Sequence, residues 1–592
     1  MARPEIRNQY LRFTQLPRIE DINSYFGGLI KQQLMDVKKP YAFLLLAFFL
    51  LVYILPLGVR DLFIPDETRY AEIPREMIAG GDWIVPRLNG LRYFEKPPLG
   101  YWIHAGSILF LGENNFAVRL PSAMAVGLSA LLIFLLVNRA CRNETKENGL
   151  PGILAALIFV SCFEVVGVGN IAVLDSVFSF FVTATLTAFY FATDSPPASR
   201  REKWFLLLSG LACGLAFMTK GFLAFALPVL TVAPYLVWRR RHIDLLRMSW
   251  LPIFVAVMVA LPWGILIHLR EPDFWRFFFW NEHIQRFLSE NAQGKESFWF
   301  FFMAAPGLFM PWTFVIPAAV AGIRQLLRGR RFQSRLTRFS ICWLVFTFLF
   351  FSVSSGKLLT YILPCFPPFA ILMAFGLTQV LKKGNSKFFQ WGVAATGSFF
   401  GIILLALVYV QIFNFDGFHL FNRIWKATMV ANGLVFMVFF CFWSLRGQHG
   451  EAKILRLGLA PLLFLFLAQF AMPDSVIERN APGRLLEKHQ NRITPDTVII
   501  ADEEAFGVAG WNLKRDDIYL LNSAGELTYG LRYGDAAGRL LDMNSASRMI
   551  DRNRGNTVLI ARTERILELS NALPVPVYRD DSGPDGFVLW RY

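Results

Sequence analysis

Long apolar stretches recur from position 41 to position 472, separated by short polar connections. A helix of about 20 apolar residues crosses the hydrocarbon core of a bilayer, because it satisfies its backbone polar groups internally. The pattern predicts about thirteen transmembrane helices: 41–59, 117–140, 150–168, 171–192, 204–219, 221–238, 248–268, 299–323, 338–354, 358–381, 388–413, 425–446 and 453–472. With the N-terminus in the cytoplasm, alternate connections collect the basic residues, among them Arg139, Arg142 and Lys146, Arg239, Arg240 and Arg241, and Lys382, Lys383 and Lys387. That is the asymmetry cytoplasmic loops carry. Segment 98–111 is apolar but short, and counting it as a span would reverse every later loop. It reads as a helix on, or dipping into, the outer surface.

An odd number of spans places residues 473–592 outside. There, short apolar runs (Thr497–Ala501, Ile518–Leu521, Thr557–Ala561, Val575–Tyr578, Gly586–Trp590) alternate with helical stretches at 543–554 and 562–572. This is the signature of a small α/β domain. The chain thus divides into a cytoplasmic N-terminal arm (1–40), a transmembrane domain (41–472) with outer loops at 60–116 and 269–298, and an outer α/β domain (473–592).

Composition narrows the function. Only 17% of residues are charged, against about a quarter in soluble proteins. The net charge of +15 is spread over short loops, so it reports topology and contact with anionic lipid rather than nucleic acid. The six cysteines lie in or beside apolar spans without CxxC spacing, so neither a disulfide framework nor a cysteine metal site follows. No GxGxxG or P-loop fingerprint is present, and no nucleotide cofactor is expected. No internal repeat supports an inverted-repeat transporter.

Four polar groups converge on the outer face. The first, Pro65-Asp66-Glu67-Thr68-Arg69-Tyr70 and onward, follows the first span, and helical spacing puts Asp66, Arg69, Tyr70 and Ile73 on one side. An amphipathic interfacial helix is the alternative reading. The second group holds Tyr93, Glu95 and Lys96. The third is the hairpin ending in Asp175, which is read about a turn inside an apolar span. A carboxylate there is costly unless it is partnered or sits at a helix N-terminus. The fourth is the loop carrying Asn281-Glu282-His283-Ile284-Gln285-Arg286-Phe287. Lys220, Lys357 and Tyr361 lie at further span mouths, where a lysine either snorkels or holds a phosphate. Glu95 and His283 are candidate ligands for a divalent metal, zinc or magnesium, with water or substrate completing the shell.

The runs PDETRYAEIPREM, YFEKPPL, FFFWNEHIQRF and SSGKLLTYILP, with the apolar segment ending in Asp175, together resemble the bacterial 4-amino-4-deoxy-L-arabinose lipid A transferases. These are relatives of the protein O-mannosyltransferases with the GT-C membrane fold. The resemblance runs in motif order from the first span to the outer domain. It implies a polytopic α-helical glycosyltransferase of the bacterial inner membrane, with its active site and C-terminal domain in the periplasm. The implied donor is undecaprenyl phosphate carrying the aminosugar, the implied acceptor a phosphate on lipid A, and the expected unit a monomer in contact with membrane lipid. It places Asp66, Asp175, Lys96 and Arg69 in the catalytic centre, and Tyr70, Tyr93, Arg286, Lys357, Tyr361 and Lys220 on the substrates. Two readings compete with it: a polyprenyl-phosphate-hexose transferase acting on protein or another glycan, and a lipid flippase.

Overall fold

The computed structural model describes residues 39–141, 150–285, 295–328, 332–382, 386–413, 420–446, 449–581 and 586–592. Most of the N-terminal arm and Arg286 lie outside the described residues. Among those described, nine helices are long and apolar enough to cross a bilayer, and two bent helix pairs bring the total to eleven. The shorter apolar helices Lys39–Ile54 and Leu223–Trp238 answer the first and sixth predicted spans, so each predicted stretch is helical.

The apolar pattern did not disclose the two bends. Leu150–Ser161 turns by 68° into Phe163–Gly169, and Phe300–Leu308 by 99° into Thr313–Leu327. Backbone groups freed at such breaks must find partners inside the protein, and the two breaks supply each other. The Phe163 N–H donates to the Met310 carbonyl at 3.0 Å, and the Trp312 indole N–H to Ser161 Oγ at 2.9 Å. Tight helix crossings fix the bundle. A Cβ on Gly322 would lie 1.9 Å from the Gly376 carbonyl oxygen, so only paired glycines allow this approach.

The long connection after the first span folds into a helix, Asp66–Gly80, and a hairpin of strands β1 (Arg87–Leu88) and β2 (Leu91–Arg92). Segment 98–111 is indeed a separate helix, Leu99–Leu111, burying Tyr101, His104 and Ile108. The C-terminal domain carries β3 (Val498–Ala501), β4 (Tyr519–Leu521), β5 (Leu540–Leu541), β6 (Thr557–Arg562), β7 (Tyr578–Asp581) and β8 (Phe587–Arg591) in the order β5-β4-β3-β6-β8-β7. Strands β3 to β6 run parallel, while β8 pairs antiparallel with both β6 and β7. Both sheet faces are covered. Ile499, Val558 and Leu589 face one core, and Ile500, Leu559 and Trp590 the other, which is why the inner strands read as unbroken apolar runs. Val575–Tyr578 does not form the strand expected of it. Val575 and Val577 are 87% and 86% exposed, and β7 begins at Tyr578 with the polar residues of an edge strand.

Candidate active site

Helix Asp66–Gly80 is no half-solvated interfacial helix. Every residue from Glu67 to Met77 is buried, because the C-terminal domain closes over it. Helix Phe506–Leu513 lies along its Thr68–Glu72 side. A Cβ on Gly507 would come within 3.1 Å of Thr68 Oγ1, and one on Gly510 within 2.9 Å of Glu72 Oε1. Asp66 and the last turn stay outside this cover, with the Asp66 side chain 50% exposed at the first turn.

A carboxylate fixes where that turn begins. Glu67 accepts from Arg60 Nη1 at 2.5 Å, from Arg119 Nε at 2.6 Å and Nη2 at 2.9 Å, and from the Phe63 N–H at 2.9 Å. It also accepts from the Ala172 N–H at 3.0 Å. One side chain therefore ties together the exit of the first span, the start of the Asp66 helix, the entry to the second span and the hairpin leading to Asp175. Burial pushes this carboxyl up, but Arg119 and Arg60 outweigh it and hold Glu67 down at about 2.

Arg69 bridges Asp66 at 3.1 Å and Glu526 of the outer domain at 2.7 Å. The Tyr93 hydroxyl donates to the second oxygen of Glu526 at 3.0 Å. Lys96 pairs with Glu282 at 3.0 Å and donates to the Glu95 carbonyl at 2.9 Å. Burial, with the carboxylates of Glu526 and Glu282 adding to it, pushes the Glu95 carboxyl up to about 7, against the opposing charges of Lys96 and Arg69.

Asp175 lies in the first turn of Leu174–Thr193, not a turn inside the span, so it gains both the helix dipole and a counter-ion. Lys220, the last residue of Arg200–Lys220, reaches Asp175 at 2.5 Å and lies 4.4 Å from the Tyr361 ring centroid. Tyr70 lies within the electrostatic reach of both aspartates. Burial raises its phenol far above the ordinary range, Arg69 opposes this, and the charges of Asp66, Asp175 and Glu526 add to it.

Lys357 stands four residues before Tyr361. It is buried and donates to the Glu296 carbonyl at 2.8 Å and the Ser354 carbonyl at 2.5 Å. Burial lowers its pKa, with Glu296 opposing. Among the described residues no three His, Cys, Asp or Glu side chains gather closely enough to hold a metal ion. The metal expected at Glu95 and His283 depends on a His283 side chain that lies outside the described residues, as does Arg286.

Two site members were not singled out from the sequence. Glu282 sits inside the NEHIQRF run, so its signal was present. Glu526 lies 457 residues from the arginine it pairs with and has no local signature. The outer domain also grips the second loop, where the hydroxyls of Tyr529 and Tyr533 each donate to Asp273 Oδ2 at 2.5 Å. Arg92 joins this seam through Glu271 and Asp535, at 2.7 Å each.

Comparison with known proteins agrees with this architecture. The dolichyl-phosphate-mannose-protein mannosyltransferase family matches residues 40–278, and the C-terminal domain of the arabinosyl transferase ArnT matches residues 477–590. The crystal structure of ArnT from Cupriavidus metallidurans bound to undecaprenyl phosphate superposes with a TM-score of 0.77 at 23% identity, covering 94% of this chain and 98% of that one. The same enzyme in its apo state gives a TM-score of 0.73. The fold and the site define a polytopic membrane glycosyltransferase of the GT-C class. Two bacterial proteins named undecaprenyl phosphate-alpha-4-amino-4-deoxy-L-arabinose arabinosyl transferase align along most of the chain. The one from Shewanella sediminis is 38% identical over 550 residues, covering 92% of this chain and 96% of its own. The one from Aeromonas hydrophila is 39% identical over 536 residues, covering 89% and 94%. The chain belongs to this arabinosyl transferase family.

Proposed function

We propose that the chain moves 4-amino-4-deoxy-L-arabinose from undecaprenyl phosphate to a phosphate of lipid A, at the periplasmic face of the bacterial inner membrane. The observation that carries this reading is the pairing of Asp66 with Arg69 and of Asp175 with Lys220. The pairs come from separate span mouths, and both aspartates act on Tyr70. Polar groups of a flippase are expected along the bilayer midplane, whereas these gather at helix ends.

The reaction is displacement at the anomeric carbon with inversion. An oxygen of the acceptor phosphate forms the new bond to that carbon as the bond to undecaprenyl phosphate breaks, and the electron pair leaves with the departing phosphate. A phosphate monoester has its second pKa near 6, so it arrives already anionic and needs little general-base help. The demanding task is to hold two phosphates of like charge together and to stabilise the one that leaves. Lys357 is suited to this, since carbonyls rather than a carboxylate hold its ammonium. Arg69 and Lys96 contribute as their carboxylate partners yield to phosphate, and charge-assisted bonds of this kind are the strong ones. Asp66, half exposed beside Arg69, orients the acceptor.

The test is mass spectrometry of lipid A from cells with and without the gene. The reading requires loss of an added pentosamine in the deletion strain and its return on complementation. An unchanged lipid A profile, with a hexose missing from a protein or another glycan, overturns it in favour of the hexose transferase.

A further inference from the structure

The charges of the site are unevenly divided. Around Arg69 and Lys96 stand four carboxylates: Asp66 and Glu526 bonded to Arg69, Glu282 bonded to Lys96, and Glu95 within the field of Glu282 and Glu526. Two cations serve four acids. At the other end Lys220 is paired to Asp175 beside Tyr361, and Lys357, four residues before Tyr361, is held by carbonyls with the charge of Glu296 acting on it. Apart from Asp66, these groups are largely withdrawn from water: the side chains of Lys96 and Glu282 are 16% and 11% exposed, those of Lys220 and Asp175 10% and 13%, and that of Glu526 24%. In such surroundings an uneven charge distribution is weakly screened and selects its ligand.

We infer that the acidic end, formed by Glu526 of the outer domain with Glu282 and Glu95, is the subsite for the protonated amino group of the donor sugar. This rests on the functional reading above and deepens it. A phosphate-linked aminosugar is itself a dipole, with an anion at the phosphate and an ammonium on the ring, and the excess of carboxylates over cations at this end suits the ammonium. A neutral pentose or hexose would leave these carboxylates facing a hydroxyl. The site would then reject it, as sites built to bond a particular polar group reject analogues that lack it. The outer domain is thereby a determinant of donor choice and not only a cover. Glu526 is the member that can report this, because it comes from the domain rather than from the motif loops. Its substitution by glutamine removes the charge while keeping one oxygen to accept from Arg69 and an amide that can donate to the Tyr93 hydroxyl oxygen.

The experiment uses the full purified chain with lipid A as acceptor and two donors: undecaprenyl phosphate 4-amino-4-deoxy-L-arabinose and its 4-hydroxy counterpart, undecaprenyl phosphate L-arabinose. Wild type should show a KM at least tenfold lower for the aminosugar. In Glu526→Gln the ratio of the two KM values should fall by about ten- to a hundredfold, the range set by a hydrogen bond to a charged group. This holds whatever change the two donors share through Arg69 and Tyr93. Glu526→Asp, which keeps the charge, should retain the preference, and so should wild type in EDTA. An equal loss for both donors in Glu526→Gln overturns the inference, because Glu526 would then act only through Arg69 and Tyr93. A preference that vanishes in EDTA overturns it too, because the bound cation would be a metal ion. Equal wild-type KM values overturn the inference alone. Failure to transfer either pentose to lipid A overturns the functional reading as well.

Discussion

Replacing Glu67 by glutamine should loosen the whole catalytic end of the protein, and the size of the effect can be worked two ways. Its carboxylate receives five donors: Arg60 Nη1, Arg119 Nε and Nη2, and the N–H groups of Phe63 and Ala172. Glutamine keeps one acceptor oxygen, turns a donor amide towards the arginines and removes their counter-charge. Leaving a buried charge without its partner costs about 3–5 kcal/mol. The second route is the titration. The folded carboxyl stands at about 2 against an ordinary value of 4.5, and at 1.36 kcal/mol per pKa unit that favours the charged form by about 3 kcal/mol. The sign follows from the depression. The stabilisation is fully present above about 4.5 and disappears only as pH falls through about 2. In detergent, Glu67→Gln should therefore melt roughly 2–4 °C below wild type, with the same deficit at pH 8 and pH 6. A variant melting within a degree of wild type, or a deficit that closes between pH 8 and 6, would refute the triad as the anchor of this loop.

Asp175→Asn should cut kcat by about a hundredfold or more, and the double variant with Lys220→Met should lose much less than the sum of the single losses, because a bonded pair is being removed; additive losses in the reconstituted transfer assay would show the pair to be uncoupled. Asp66→Asn should keep measurable transfer to lipid A with an unshifted pH profile, since a phosphate acceptor needs no base; complete loss would make Asp66 an obligate base. Tyr529→Phe with Tyr533→Phe strips Asp273 of both hydroxyl donors, each worth about 1.5–3 kcal/mol to a charged acceptor. Limited proteolysis should then cut the second outer loop faster than in wild type, and unchanged cleavage would mean that Arg92 alone holds the seam.

What was legible in the chain followed the cost of charge near a bilayer. Asp66, Lys96 and Asp175 stand out because each interrupts or borders apolar sequence where charge is expensive, and the structure gives each a charged partner. The pairings themselves were not legible. Asp175 and Lys220 lie 45 residues apart, and nothing in the spacing joins them. Glu526 was invisible for a different reason: in a solvated α/β domain a glutamate costs nothing, so it draws attention only once the domain is docked. The spans were found by hydropathy, while their bends at Cys162 and Met310 were not, because a break whose polar groups are satisfied by another break leaves the apolar pattern intact. The edge strand β7 was misplaced because apolar Val575 and Val577 precede it and its own residues are polar.

The central claim is tested most directly by incubating the purified chain with undecaprenyl phosphate aminoarabinose and lipid A and following both products by mass spectrometry. The account predicts lipid A gaining pentosamine while undecaprenyl phosphate is released in equal amount, with Asp175→Asn strongly slowed. Undecaprenyl phosphate released without sugar on lipid A, or lipid A modified equally fast by Asp175→Asn, would contradict it.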